Sequence, residues 1–286
     1  MFRKSTYCIV NVMVLSIALG IFVYEFFSIR QIRSDLSQMY MLYVLFTVLM
    51  VYSVKCIRLY LVIYGYGSVL SRKNHLRQFV KTVPVNILLP LKTGDIFRCY
   101  CYGYALGSFM NSLIFILLDR FSDTLALITL IILVNVVTGN SFSMVFYLLL
   151  IFVVSVIVVY FIFPPVYDYW NRFFIEREAS ASRLRLLGSL EKMNDVYAKL
   201  KDIVQSRGAA LYFLSLTAWI MEGTGFYFIS SAYRREITAL DLEYYLESAL
   251  GLSSSDFQRT FVFVSAVVSL SVYVLLVLSR WMKRRR

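Results

Sequence analysis

Glu222 stands in the middle of an apolar run, Ala209–Tyr233, within Trp219-Ile220-Met221-Glu222-Gly223-Thr224-Gly225. A carboxylate there faces a polar cavity, pairs with a cation, or carries a proton. Gly223 and Gly225 lower helix propensity beside it and permit close backbone approach. Lys55 and Arg58 lie at i, i+3 on another apolar run, Met39–Tyr66, so a helix puts both on one face. Together they suit a phosphate, the Arg as a two-pronged fork and the Lys as a point charge. Asp119, Arg120 and Asp123 form a third group. The two aspartates share a helix face at i, i+4 and repel unless Arg120 or a ligand separates them. A charge at mid-membrane costs about 2.5–3.5 kcal/mol, so each of these groups needs a reason.

Other chemistry is poorly represented. The chain has 1 His, His75, which lies in the basic stretch Ser71-Arg72-Lys73-Asn74-His75 and reads as a solvated loop residue. No Ser/His/Asp set, glycine-rich phosphate loop or metal-ligand spacing appears, so no cofactor or metal is expected. Cys8, Cys56, Cys99 and Cys101 lack C-x-x-C spacing and read as small hydrophobes. Lone carboxylates leave an embedded glycosyl- or acyltransferase as an alternative.

The elements that carry these residues follow from composition. Of 286 residues, 59% are hydrophobic and 16% charged, and the mean hydropathy is +0.70. A soluble domain carries about 25% charged residues, so a soluble enzyme and a disordered chain are both excluded. The net charge of +12 resembles a nucleic-acid footprint. Here the basic residues sit between long apolar runs, where loops facing an anionic inner leaflet explain them, and no nucleic-acid partner is expected.

The runs are Tyr7–Ile29, Met39–Tyr66, Thr124–Thr138, Phe142–Phe163, Ala209–Tyr233 and Phe257–Ser279. Each approaches the length of about 20 residues that crosses a bilayer. The first continues past a signal-peptide-like Ala18-Leu19-Gly20 and reads as an uncleaved span. Pro164-Pro165 is expected to end the run before it. The stretch 166–208 spaces Leu186, Leu190, Met193, Val196, Leu200 and Ile203 as an amphipathic helix. It serves a membrane surface or a partner, or packs on the bundle.

The segment 67–98 carries six basic residues and one acid, whereas 234–256 carries five acids against Arg234 and Arg235. Both termini, 67–98 and 166–208 are therefore expected in the cytoplasm, and 234–256 outside. Both ends inside require an even number of crossings. Six runs satisfy that if Leu76–Leu118 enters and leaves on one side. Pro84 and Pro90 disfavour a continuous helix in its first half, and Lys92-Thr93-Gly94-Asp95 suits a turn. Broken helices at membrane depth often mark a translocation path. The competing reading is one kinked span and an odd crossing count. The expected fold is thus an all-α polytopic membrane protein forming a single domain over 1–286. It has six full spans and a re-entrant pair at 76–118, about eight helical elements.

The stretch Val85-Asn86-Ile87-Leu88-Leu89-Pro90-Leu91-Lys92-Thr93-Gly94-Asp95-Ile96-Phe97-Arg98 resembles the lysylphosphatidylglycerol synthase transmembrane region family, also called flippase-like integral membrane proteins. Asn86, Pro90, Lys92, Gly94, Asp95 and Arg98 fill its pattern. A second motif is Asp119-Arg120-Phe121-Ser122-Asp123, a third is Trp219 with Glu222, and Arg58 matches a basic residue of the second span. Lys92 replaces a frequent Arg and loses its fork, and Asp119 replaces a frequent Glu.

The resemblance implies lipid translocation in a bacterial or archaeal inner membrane. Only a short tail follows the last run, so a stand-alone module without an aminoacyl-transfer domain is expected. The substrate would be a phospholipid or polyprenyl-linked lipid for cell-envelope biogenesis. Its head group would meet Lys55, Arg58, Asn86, Lys92, Asp95, Arg98, Asp119, Arg120, Asp123, Trp219 and Glu222, with Pro84, Pro90 and Gly94 shaping the helix break. The alternatives are the embedded transferase and a non-catalytic partner of an envelope enzyme. The ionisable residues assigned to the membrane are Glu25, Asp119, Asp123 and Glu222 against Lys55, Arg58, Arg120 and Arg259, a neutral set.

Overall fold

A computed structural model describes residues 4–29, 38–65, 67, 70–89, 93–139, 142, 144–176, 181–232 and 256–285. All of its elements are α-helices. In chain order they are α1 (Lys4–Ile29), α2 (Gln38–Gly65), α3 (Arg72–Leu88), α4 (Gly94–Leu106), α5 (Phe109–Thr138), α6 (Met144–Ile175), α7 (Ala181–Ala232) and α8 (Asp256–Arg285). Four segments are long and apolar enough to cross a membrane: Ser5–Tyr24, Leu42–Gly65, Phe109–Val137 and Met144–Ile175. A shorter apolar segment, Phe263–Ser279, lies in α8. The molecule is an all-α polytopic membrane protein.

Burial explains which faces meet lipid. On α6 only Phe146 and Val153 are buried, while Ile151, Val154, Val158, Val159 and Phe161 are exposed. In a bilayer such a surface is solvated by acyl chains and needs no protein partner. α2 is the opposite case. Leu59, Val62 and Ile63 join Phe79 and Val83 of α3, Tyr102 of α4, Phe115 and Leu118 of α5, and Ile203 and Leu211 of α7 in one core. A second core joins Ala126, Leu127, Ile128 and Ile131 of α5 to Phe146 and Val153 of α6 and to Trp219 and Phe226 of α7. α1 and α8 close the bundle around α3 and α4 through Ala18, Val85, Leu88, Phe97, Cys101 and Ala266.

The region 76–118 holds three helical pieces. α3 spans 17 residues, about 25 Å, and α4 spans 13, about 20 Å, each short of the roughly 30 Å hydrocarbon core. The two pack against one another as a hairpin. The break falls at Leu89, whose backbone is extended (φ −79°, ψ 132°). The residue before a proline disfavours the helical region, and Pro90 follows. Pro90, Leu91 and Lys92 lie outside the described residues. Pro84 was expected to contribute to the break and does not. It sits inside α3, buried among Phe79, Val83 and Val85. Its fixed φ suits a helix, and packing of the neighbouring turns outweighs the one lost hydrogen bond.

α4 ends at Gly107, whose φ of 71° is left-handed and suits glycine. Ser108 then caps α5, its hydroxyl accepting from the Asn111 amide at 3.3 Å. From there α5 runs unbroken for 30 residues. Asp119, Arg120 and Asp123 therefore lie inside one long helix rather than at a junction between a re-entrant segment and a span.

Three further expectations are corrected. Pro164 and Pro165 lie within α6, which continues to Ile175. Prolines are tolerated in membrane helices where local adjustment satisfies the freed carbonyls. Around them, Tyr160 and Phe163 pack on Tyr197 of α7 at centroid distances of 5.3 and 4.9 Å. The amphipathic stretch and the run bearing Glu222 are one helix of 52 residues, α7, which packs along α2. Arg207 fixes that contact by donating to the Leu61 carbonyl at 3.1 Å.

His75 is no loop residue. Ser71 caps α3 by accepting from the Asn74 amide, which places His75 in the first turn, 3% exposed. Its Nε2 lies 3.0 Å from the Cys56 carbonyl and its Nδ1 3.2 Å from the Tyr102 hydroxyl. This one imidazole ties α3 to α2 and α4.

Candidate functional site

The α3–α4 hairpin depends on a close approach. A Cβ on Gly94 would overlap the Asn86 backbone and lie 2.8 Å from both Asn86 N and Oδ1. Only glycine lets α4 start against α3 at this point. α4 then presents Asp95 and Arg98, one turn apart, toward α5.

Three arginines and three aspartates meet where α2, α4 and α5 converge. Arg58, 1% exposed, donates through Nε to Asp119 Oδ1 at 2.7 Å. Its Nη1 donates to Asp123 Oδ1 and to Ser215 Oγ, each at 2.7 Å. Arg120 Nε lies 2.9 Å from Asp95 Oδ2, and Arg120 Nη1 lies 3.5 Å from Asp123 Oδ2. Arg98 Nη1 faces Asp95 Oδ1 at 3.8 Å and Asp119 Oδ2 at 3.7 Å. The two α5 aspartates thus share a face without penalty because Arg58 stands between them. The six charges sum to zero, as burial requires.

A second pair lies one helical turn along. Lys55 donates to Glu222 Oε2 at 2.8 Å, and its ammonium sits 5.6 Å from the Trp219 ring. Trp219 donates through Nε1 to the Asp123 carbonyl at 3.2 Å, which joins this pair to the cluster. Of the three states open to Glu222, cation pairing is the one found.

Burial grades the network. The side chains of Arg58 and Asp119 are 2% exposed, whereas Arg120 and Asp95 reach 21% and 15%, and Lys55 and Glu222 reach 22% and 15%. The Arg58 clamp is therefore sealed, and the outer pairs form its accessible rim. Hydrogen bonding grades it differently. Arg98 is 5% exposed, yet neither carboxylate it faces is within hydrogen-bonding distance. Its Nε has no hydrogen-bond partner among the described residues, and neither does Asn86 Oδ1 nearby on α3. The Phe79 ring, 5.5 Å from the guanidinium, holds Arg98 in place without spending a donor. A buried guanidinium with an unspent N–H can receive an anionic oxygen while the Arg58 clamp stays closed.

Nine expected site residues are gathered here: Lys55, Arg58, Asp95, Arg98, Asp119, Arg120, Asp123, Trp219 and Glu222. Asn86 adjoins them through Gly94, and Lys92 lies outside the described residues. Lys55 and Arg58, read as one phosphate fork, each face carboxylates of their own: Lys55 meets Glu222, and Arg58 meets Asp119 and Asp123. Ser215 and Phe79 were not anticipated. Ser215 stands four residues before Trp219 and seven before Glu222, so helical spacing alone puts it on their face.

The fold and the site define a multi-pass helical membrane protein whose interior holds a paired, neutral charge cluster beside a broken helix. The chain belongs to the family described as lysylphosphatidylglycerol synthase TM region, which it matches over residues 9–252. No curated protein and no solved structure matches it. Membership places the protein among membrane proteins of lipid and envelope-related function.

Proposed function

We propose that the protein moves a phosphate-containing lipid or lipid-linked precursor between leaflets, with its head group passing Arg98. The observation that carries this reading is the buried Arg98 guanidinium, whose Nε is unpartnered among the described residues beside a helix break. A lipid phosphate would spend those donors, and the Lys55–Glu222 and Asp95–Arg120 pairs would open to admit it. Each of the four site carboxylates faces a cation, which supports transport over a transferase that needs an available base. A cytoplasmic membrane with both termini inside follows from the basic loops, on the same reading.

The test is lipid exchange in liposomes carrying a fluorescent anionic phospholipid. The wild-type chain should speed its equilibration, and Arg98→Ala should slow it by about tenfold, the order of one charged hydrogen bond. Glu222→Gln should slow it too. A wild-type rate equal to that of protein-free liposomes defeats the proposal.

A further inference from the structure

The geometry points to a second phosphate-anion site, centred on Lys81 and reached through α1 rather than α5. Lys81 is 9% exposed in the middle of α3. Its ammonium donates to the Tyr7 hydroxyl at 2.9 Å and lies 4.6 Å from the Tyr7 ring and 5.4 Å from the Phe97 ring. Tyr7 in turn reaches Gln78 Oε1 at 3.4 Å and stacks on Tyr104 at 3.8 Å and Tyr100 at 5.7 Å. Cys101, from α4, is buried on the same side of the hairpin.

None of these neighbours is negative. α3 contains no Asp or Glu at all, and the acid of α4, Asp95, belongs to Arg98 and Arg120. Among the described residues Lys81 makes no ion pair, whereas Lys55, Arg58, Arg98 and Arg120 all do. A buried ammonium needs a counter-charge, and contact with two aromatic faces offsets only a small part of its desolvation. An ammonium has three donors, and the phenol accepts one. No described residue supplies that counter-charge, and a bound anion would.

Half-buried Gln78, Tyr7, Tyr100 and Tyr104 rim the position. Tyr7 is the fourth residue of α1, at the end the basic residues direct to the cytoplasm, where anionic head groups are abundant. Phosphate is a fitting anion, because the ammonium spends one of its three donors on the Tyr7 hydroxyl and keeps others for an anionic oxygen. The site is independent of lipid transport through Arg98.

The test uses the full chain in a non-ionic detergent, offered phosphatidylglycerol or phosphatidylcholine and read by native mass spectrometry, with phosphorus NMR of inorganic phosphate as a parallel arm. Wild type should hold phosphatidylglycerol about fivefold better than phosphatidylcholine, a preference worth one good hydrogen bond. In an Arg98→Ala background, where the transport site no longer contributes, Lys81→Met should abolish the preference that remains at an unchanged melting temperature, and Lys81→Arg should keep it. Phosphate broadening that Lys81→Met removes, without a lipid preference, would assign the site to a soluble phosphate. Retention of that preference when Lys81→Met is added, or neither lipid preference nor phosphate broadening in the Arg98→Ala background, overturns the proposal. Should Lys81→Met fail to fold, Tyr7→Phe, which deletes the facing hydroxyl, must weaken binding several-fold, and unchanged binding is equally fatal.

Discussion

Arg58 and Asp119 are 61 residues apart in sequence and joined at 2.7 Å, both with side chains 2% exposed. The same guanidinium holds Asp123 and Ser215, so one side chain links α2, α5 and α7. A buried pair of this kind contributes less to stability than its distance suggests, since desolvation offsets the attraction. Removing one partner is another matter, because the other is left charged and buried.

Arg58→Met should therefore destabilise the protein by about 3–5 kcal/mol. Asp119 and Asp123 would face one another with only the longer contacts to Arg98 and Arg120 to compensate them. Adding Asp119→Asn to Arg58→Met should recover part of the loss, because it removes one of the stranded charges. Denaturation in mixed detergent micelles measures both. A double variant no more stable than the single one would mean that Asp119 is neutral in the native state.

Gly94→Ala should open the α3–α4 hairpin. The added methyl overlaps Asn86 backbone rather than a movable side chain end. Overpacking of this kind costs about 1–3 kcal/mol. Trimming Asn86 to Ala should not rescue it, since the backbone clash remains. The melting temperature of the three variants decides the point, and rescue by Asn86→Ala would show that the side chain alone sets the fit.

Lys55 and Glu222 should be exchangeable in part. Lys55→Glu alone and Glu222→Lys alone each place two like charges at this position, and both should destabilise. The double exchange restores opposite signs at the 2.8 Å contact and should recover about 0.5–3 kcal/mol of coupling energy. If the double variant is merely the sum of the singles, the pair is not formed in the membrane. The exchange also separates stability from transport. Restored folding without restored lipid movement would assign Glu222 a role beyond pairing.

Much of this molecule was readable along the chain. Helices too apolar for water follow from the runs themselves, and the break at Leu89 follows from the backbone of a residue that precedes proline. Gly94 and the acid–Arg spacing on α5 carried the family. The reading failed where a local rule met packing. Pro84, Pro164 and Pro165 promised helix ends, but buried neighbours and an apolar surround kept those helices whole. His75 read as solvated among basic residues, yet the Ser71 cap turned it inward. The run boundaries near 118 and 208 followed polarity, while the backbone continued through both, because a helix does not stop where charge is paired.

The sequence by itself determined that this protein is a helical membrane protein and that ionisable residues of both signs lie within its apolar runs, but it left Lys81 and Arg98 in a segment expected outside the bilayer. Only the tertiary structure decided who meets whom: Arg58 with Asp119 and Asp123, Lys55 with Glu222, Arg98 with an unspent donor, and Lys81 with no acid among the described residues. Helical periodicity fixes the face on which a side chain lies. It does not fix which other helix that face will meet, and for charges in a low-dielectric interior the identity of the neighbour is the whole of the energetics.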